Sequence, residues 1–351
     1  MKKKSILLIA SFLSAANIKY ALHSNHAFTM PKGKTLCILE YQKSNKTLDV
    51  FHLRDSDISN TFGGIGDLDG IQLKIYHGIN KTLTMLGAFQ FQKIKYGDGD
   101  LKNFYFNADL KKLIFSNFEE TNAFSIDFGI KINKAENINF DNKIYLENLA
   151  KKFLNVKSVK ILNNKIGVIK NDGTTEILNL TSPPSIDLTN MKDFSPYFTF
   201  TIEKDLNKAF VSIFSSLSYT KIWTNIKANI TPADEETKEK LENYNLSKNL
   251  DRDEKTLSIG FNITTKTPII MELSYKYLRI FRNKNLNYIN YNHIIDLDFI
   301  KPINHHMFIY LGGKLLYRQF NGVIPYLYNK YSQTTFDHKY GWARVGFGYY
   351  F

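Results

Sequence analysis

Acidic and basic side chains recur at every second residue inside otherwise apolar stretches. Glu272 and Lys276 are interleaved with Leu273, Tyr275 and Tyr277, while Asp296 and Asp298 sit between Ile295, Leu297 and Phe299. Lys74, Asp127, Lys131, Lys314, Arg318 and Arg344 occupy the same phase in their own stretches, as do Gln72, Gln90, Gln92, Asp109 and Glu203. Charges of both signs on one face of a strand suit a hydrated path whose side chains select a solute. They equally suit ion pairs that fill a narrow interior. Glu272, Asp296, Asp298, Lys314 and Arg318 fall on three successive stretches, which favours mutual pairing.

Other chemistry has less support. His23 and His26 follow a leader-like segment, and His305 and His306 fall in a turn. No third ligand stands in register with either pair, so no metal site is expected, and no motif calls for a cofactor. His293 is the best candidate for a general base, but no serine follows it at short spacing in Tyr291-Asn292-His293-Ile294-Ile295. Asp251, Asp253 and Glu254 read as a solvated loop rather than a catalytic carboxylate pair. An enzyme is therefore not expected.

The composition limits what these residues can be mounted on. The chain has 351 residues, 27 of them Phe and 21 Tyr, and a formal net charge of +13. No stretch reaches the roughly 18 to 20 apolar residues of a membrane-crossing helix. Cys37 is the sole cysteine, so an internal disulfide is excluded. Lys2, Lys3 and Lys4, the apolar Ser5–Leu13 and the small residues Ser14-Ala15-Ala16 read as a signal peptide over 1–16, with Ala21 as a later cleavage point. The remaining positive charge would draw anions or lipopolysaccharide phosphates, or simply solvate loops. No nucleic-acid partner is expected.

Period-two patterning sets the fold class. Phe124, Ile126, Phe128, Ile130 and Ile132 alternate with Ser125, Asp127, Gly129 and Lys131, giving one apolar and one polar face. Twelve such stretches are predicted, at about 34–43, 69–78, 82–94, 103–115, 123–133, 196–204, 209–221, 256–264, 269–280, 291–300, 306–319 and 340–351. The expectation is an all-β, antiparallel up-and-down transmembrane barrel over 34–351, preceded by a periplasmic segment at 17–33. Short turns (78–81, 205–208, 265–268, 301–305, and a longer one near 116–122) would lie on the periplasmic side. Longer loops (44–68, 95–102, 134–195, 222–255, 282–290, 320–338) would lie outside the cell. Ile259 and Leu273 should face lipid, and Asn262 and Ser274 the lumen. Tyr41, Tyr76, Tyr219, Trp223, Tyr277, Tyr317 and Trp342 are candidates for the interfacial girdles. A soluble β-sandwich shares the alternation, but the stretches are long for it.

The loop at 134–195 needs structure of its own at that length. A helix is predicted over 142–154 with Asn142 as N-cap, and a hairpin about Asn171-Asp172-Gly173. The loop would either constrict the lumen or cap it. A second, charged helix is predicted within 231–246, after Pro232.

Two resemblances add to this reading. Val345, Phe347, Tyr349 and the terminal Phe351 share one phase, which resembles the signal read by the barrel-insertion machinery of Gram-negative bacteria. That resemblance implies the machinery as a partner and an integral outer-membrane location. Ala27-Phe28-Thr29-Met30-Pro31-Lys32-Gly33-Lys34 and Gly64-Ile65-Gly66-Asp67, leading into Ile71–Tyr76, resemble the phenol-degradation-pathway outer-membrane protein family. That implies a transporter. The 134–195 insertion is not part of what this second resemblance implies. The expected function is passage of a small solute through a polar lumen, with a loop-mediated binding barrel and an outer-membrane hydrolase as alternatives.

Overall fold

The structure, a computed structural model, describes residues 26–45, 65–96, 99–117, 121–141, 143–283, 286, 289–329, 331 and 337–351. The expected signal peptide over 1–16, His23, most of the 44–68 loop and the expected N-cap position Asn142 lie outside the described residues.

All twelve predicted stretches are strands of one closed sheet. In chain order they are β1 (Thr35–Ser44), β2 (Ile65–Asn80), β3 (Leu83–Tyr96), β4 (Gly99–Ser116), β5 (Asn122–Ala135), β10 (Ser185–Leu206), β11 (Ala209–Asn229), β13 (Arg252–Thr265), β14 (Ile270–Phe281), β15 (Tyr291–Pro302), β16 (Met307–Leu316) and β17 (Tyr340–Tyr350). Each pairs antiparallel with its neighbours in sequence, and β1 closes the ring on β17, with Leu36 opposite Tyr350 and Lys43 opposite Ala343. Closure leaves no strand edge within the wall, which a lipid environment requires because lipid cannot hydrogen-bond a backbone.

The alternation then sorts side chains by parity. Leu39, Ile71, Phe89, Phe128, Ile202 and Ile213 point outward and are exposed. So do Ile259, Val345 and Phe347, and the half-buried Leu273 has the outward parity too, whereas Asn262 and Ser274 are buried inside. Exposed aliphatic and aromatic residues right around the outside, with polar residues inside, are the inverse of a soluble protein. They define an integral outer-membrane β-barrel. The same surface rules out the sandwich, whose apolar face would be enclosed between two sheets.

Two girdle candidates face the other way. Tyr76 and Trp342 are buried inside the barrel, because they share parity with Lys74 and Arg344, and parity decides the face. Tyr41, Tyr219 and Tyr317 are exposed on the outside.

The strands also run further than the hydropathy pattern suggests. β10 and β11 have 22 and 21 residues, against 11 in β17. At about 3.3 Å per residue β10 is roughly 70 Å long, far more than the apolar band needs. It therefore continues above the membrane, and its upper part pairs with the short β6 (Ile138–Phe140). β3 and β4 likewise run on until Tyr96 stands opposite Gly99, so 95–96 and 99–102 are strand rather than part of a longer loop.

Above the barrel, 143–179 folds into a helix (Lys143–Leu154) and a three-stranded sheet of β7 (Ser158–Leu162), β8 (Lys165–Ile169) and β9 (Thr175–Asn179). The predicted hairpin joins β8 to β9, and β7 is an additional strand. The second helix, Glu235–Glu242, is capped by Asp234, whose side chain accepts from the Thr237 backbone N–H. The remaining short strand, β12 (Ser247–Asn249), pairs with β11. Leu146, Leu149 and Phe153 join Tyr96, Phe140, Tyr326 and Tyr331 in one apolar cluster at the outer mouth.

Candidate functional site

Inside the ring lies a cavity of about 300 Å³. Its wall carries Lys74, Asp127, Lys131, Lys276, Asp296, Lys314 and Arg344, so seven of the ten sequence-predicted lumen residues come together. Inward parity on six strands puts them there. The wall between them is amides and hydroxyls, among them Gln42, Gln90, Gln92, Asn107, Ser216 and Ser258.

The charges divide into paired and unpaired sets. Arg344 forks onto two carboxylates, with Nη1 2.8 Å from Asp296 and Nη2 2.6 Å from Asp298. Asp298 thus serves the wall as a partner of Arg344. Gly312 lies against Asp298, and a Cβ there would collide with the carboxylate. Lys314 Nζ stands 3.4 Å from the other oxygen-bearing partner, Asp296. Lys74 Nζ is 3.6 Å from Glu40, which also accepts from Tyr310 Oη at 2.5 Å. On the far wall Tyr197 Oη donates to Asp109 at 2.9 Å and Asn107 at 3.0 Å, and Lys111 reaches Asp127 at 3.8 Å. Glu40 and Tyr197 were not singled out in the sequence, although the parity of their strands places both inside.

Two predicted lumen residues lie elsewhere. Arg318 falls beyond the end of β16, so strand parity no longer applies to it. It pairs with Asp337 and lies over the rings of Tyr291 and Tyr317 at the outer rim. Glu272 sits at the periplasmic end of β14, where it meets His26.

That meeting is part of a stopper. Residues 26–31 enter the periplasmic mouth. His26 Nδ1 is 3.1 Å from Glu203 and Nε2 3.1 Å from Glu272, and the Ala27 N–H donates to Glu203 at 2.8 Å. The Lys111 ammonium donates to the His26 carbonyl. Burial alone would lower the imidazole pKa, but Glu203 and then Glu272 hold it up at about 10. At the same level, since Thr84 pairs with Lys111, the Met30 N–H donates to Thr84 Oγ1 at 2.7 Å, and the Met30 side chain packs with Tyr76 and Leu86. Gly78 makes room for the Pro31 carbonyl, where any Cβ would clash.

A second stopper hangs from the outer mouth. The segment after β16 turns inward, and Phe320, Gly322, Ile324 and Pro325 roof the cavity. Phe320 stacks on Trp342 at 5.8 Å. Arg252 donates to the Pro325 carbonyl at 2.7 Å, and Arg282 to Asn321 Oδ1 at 2.5 Å. Both arginines also bind Glu254, at 3.0 and 2.6 Å. Glu254 is therefore a buried anchor and not part of a solvated loop. The segment that lines the cavity is this one, whereas the part of 134–195 between β5 and β10 lies above the mouth, and 185–195 belongs to the wall as part of β10.

His293 lies on the outer face among tyrosines, with Tyr275 Oη 2.8 Å from Nδ1. Among the described residues no serine hydroxyl bonds to it, and no three His, Cys, Asp or Glu side chains are placed to hold a metal ion. Phe351, Tyr349 and Phe347 lie together on the outer side of the seam, Tyr349 and Phe351 with ring centroids 4.7 Å apart.

No family profile matches the chain, and no curated protein sequence matches it. Among solved structures, the chain is similar to the translocator domain of the autotransporter NalP from Neisseria meningitidis, at 7% identity and a TM-score of 0.46 over 99% of this chain and 96% of that one. It is similar to the NanC porin, at 7% identity and 0.41 over 90% and 98%. It is also similar to the Pseudomonas putida toluene transporter TodX, at 9% identity and 0.34 over 91% and 89%. These likenesses do not bear on function.

Proposed function

We propose that this protein is a gated outer-membrane channel for a small solute, shut at both ends in the state described here. The observation that carries the reading is the nature of the closures. A polar cavity occupies the lumen, and two non-strand segments, 26–31 and 320–325, lie within the barrel towards its two ends, held mainly by side-chain contacts. Either could withdraw without opening the hydrogen-bonded wall. Export through the signal peptide, insertion by the barrel-assembly machinery through Phe351, and lipid and lipopolysaccharide as surroundings complete the reading.

Planar-bilayer recording tests it. The intact chain should show rare, brief openings, and a chain lacking residues 26–32 should show frequent long ones. Folded barrels of both forms that neither conduct nor admit solute into liposomes would sink the proposal.

A second reading has one observation in its favour. The sheet above the outer mouth exposes Leu162, Ile169 and Ile177, and β7 and β9 are its edge strands. Such a surface suits strand addition by a partner protein. Removal of 156–180 should leave conductance intact if the channel reading holds.

A further inference from the structure

Three lysines reach the cavity from separate walls. Lys131 is on β5, Lys276 on β14 and Lys314 on β16. In the closed twelve-strand ring β5 and β16 lie six strands apart, so Lys131 and Lys314 face each other across the lumen. The charges acting on Lys276 are Lys131, Lys314 and Asp296. Those acting on Lys131 are Asp109, Asp193 and Lys314.

The acids nearby already have partners. Asp296 takes Arg344 and Lys314, Asp127 faces Lys111, and Asp109 accepts from Tyr197. Among the described residues, Lys276 makes neither an ion pair nor a hydrogen bond. Lys131 has only the face of Tyr197, 4.3 Å from its Nζ. Two ammonium groups without a carboxylate partner, in one small cavity with a third, repel one another unless an anion lies between them. The surrounding amides and hydroxyls would hydrogen-bond a hydroxylated body. A volume of about 300 Å³ is at the lower end for small-molecule sites.

We propose that the cavity is a binding site for a small hydroxylated carboxylate, with Lys131, Lys276 and Lys314 holding the carboxylate and the Gln/Asn/Ser wall holding the hydroxyls. This rests on the channel reading, since the ligand would be the solute that passes.

The test is calorimetric titration of the whole refolded barrel in detergent with gluconate, with glucose and inorganic phosphate as comparison probes. Gluconate binds, glucose gives no saturable heat, and added chloride weakens gluconate in the wild-type chain. Lys276→Gln and Lys131→Gln each lower gluconate affinity by about tenfold or more, as expected for loss of one charge-assisted contact. Heat-modifiable gel mobility verifies that the variants are folded, and the chloride competition needs no variant. Gluconate heats no larger than those of glucose overturn the site, as does full affinity in the folded double variant. Phosphate binding tighter than gluconate, with the same lysine dependence, overturns the carboxylate assignment. Because binding is read without a bilayer, conductance without gluconate binding removes only this proposal. Gluconate binding without conductance removes only the channel reading.

Discussion

His26 holds its place through groups far away in the chain, Glu203 and Glu272 lying 177 and 246 positions later. A protonated ring between two buried carboxylates is stabilising because without it both acids would lose a charged partner while staying buried. His26→Ala should therefore loosen the stopper by about 3 to 5 kcal/mol. A cysteine at Phe28, in a Cys37→Ala background, reads this directly: maleimide should label it slowly at pH 7 and much faster once His26→Ala is added. Equal rates would show that the histidine does not hold the segment. The pH dependence has a definite sign. The folded pKa is raised from 6.5 to about 10, so the contribution is complete below pH 6.5 and is lost as pH rises through about 10. The other charged groups at the site are Glu203, Glu272 and Lys111, with Asp127 behind Lys111. In the sequence His26 stands out only beside His23, with no third ligand and no periodic context, so nothing local points to its carboxylate partners. The lumen charges were legible because strand parity announces them. Arg318 was misplaced where that parity ends.

At the scale of elements, the strands were the readable part and their lengths were not. Alternation gives the face of each residue wherever lipid lies on one side. Above the membrane the alternation changes phase: in β11 the apolar Ile222 and Ile226 turn inward and Lys221 and Lys227 outward, so the lipid-facing pattern ends there although the strand continues. The inward-turning 320–325 segment was hidden for a related reason: Phe320, Ile324 and Tyr326 are apolar but follow no strand period, and their partners come from other loops and strands. The face assignment itself makes a sharp prediction. Ser258 and Ile259 are adjacent on β13, the first lining the cavity and the second 51% exposed on the outside. Ile259→Arg should destabilise the barrel by about 2 to 4 kcal/mol in a lipid refolding assay, while Ser258→Arg should cost less and change ion selectivity. Similar refolding midpoints for the two would mean that β13 is out of register by one residue.

Taken as a whole, the molecule joins its periplasmic stopper to its own first strand. Only Lys32, Gly33 and Lys34 separate Pro31 from the start of β1 at Thr35. A tether this short fixes the local concentration of the segment at the mouth in roughly the millimolar range or above, whatever the protein concentration. The contacts themselves can then be individually weak and still keep the mouth occupied most of the time. Such a stopper can leave and return repeatedly, and neither dilution nor washing removes it. A free peptide of residues 26–33, added to the truncated channel, lacks that advantage and should restore block only near millimolar concentration. Half-block at micromolar peptide would mean that affinity, and not the covalent leash, keeps the mouth shut.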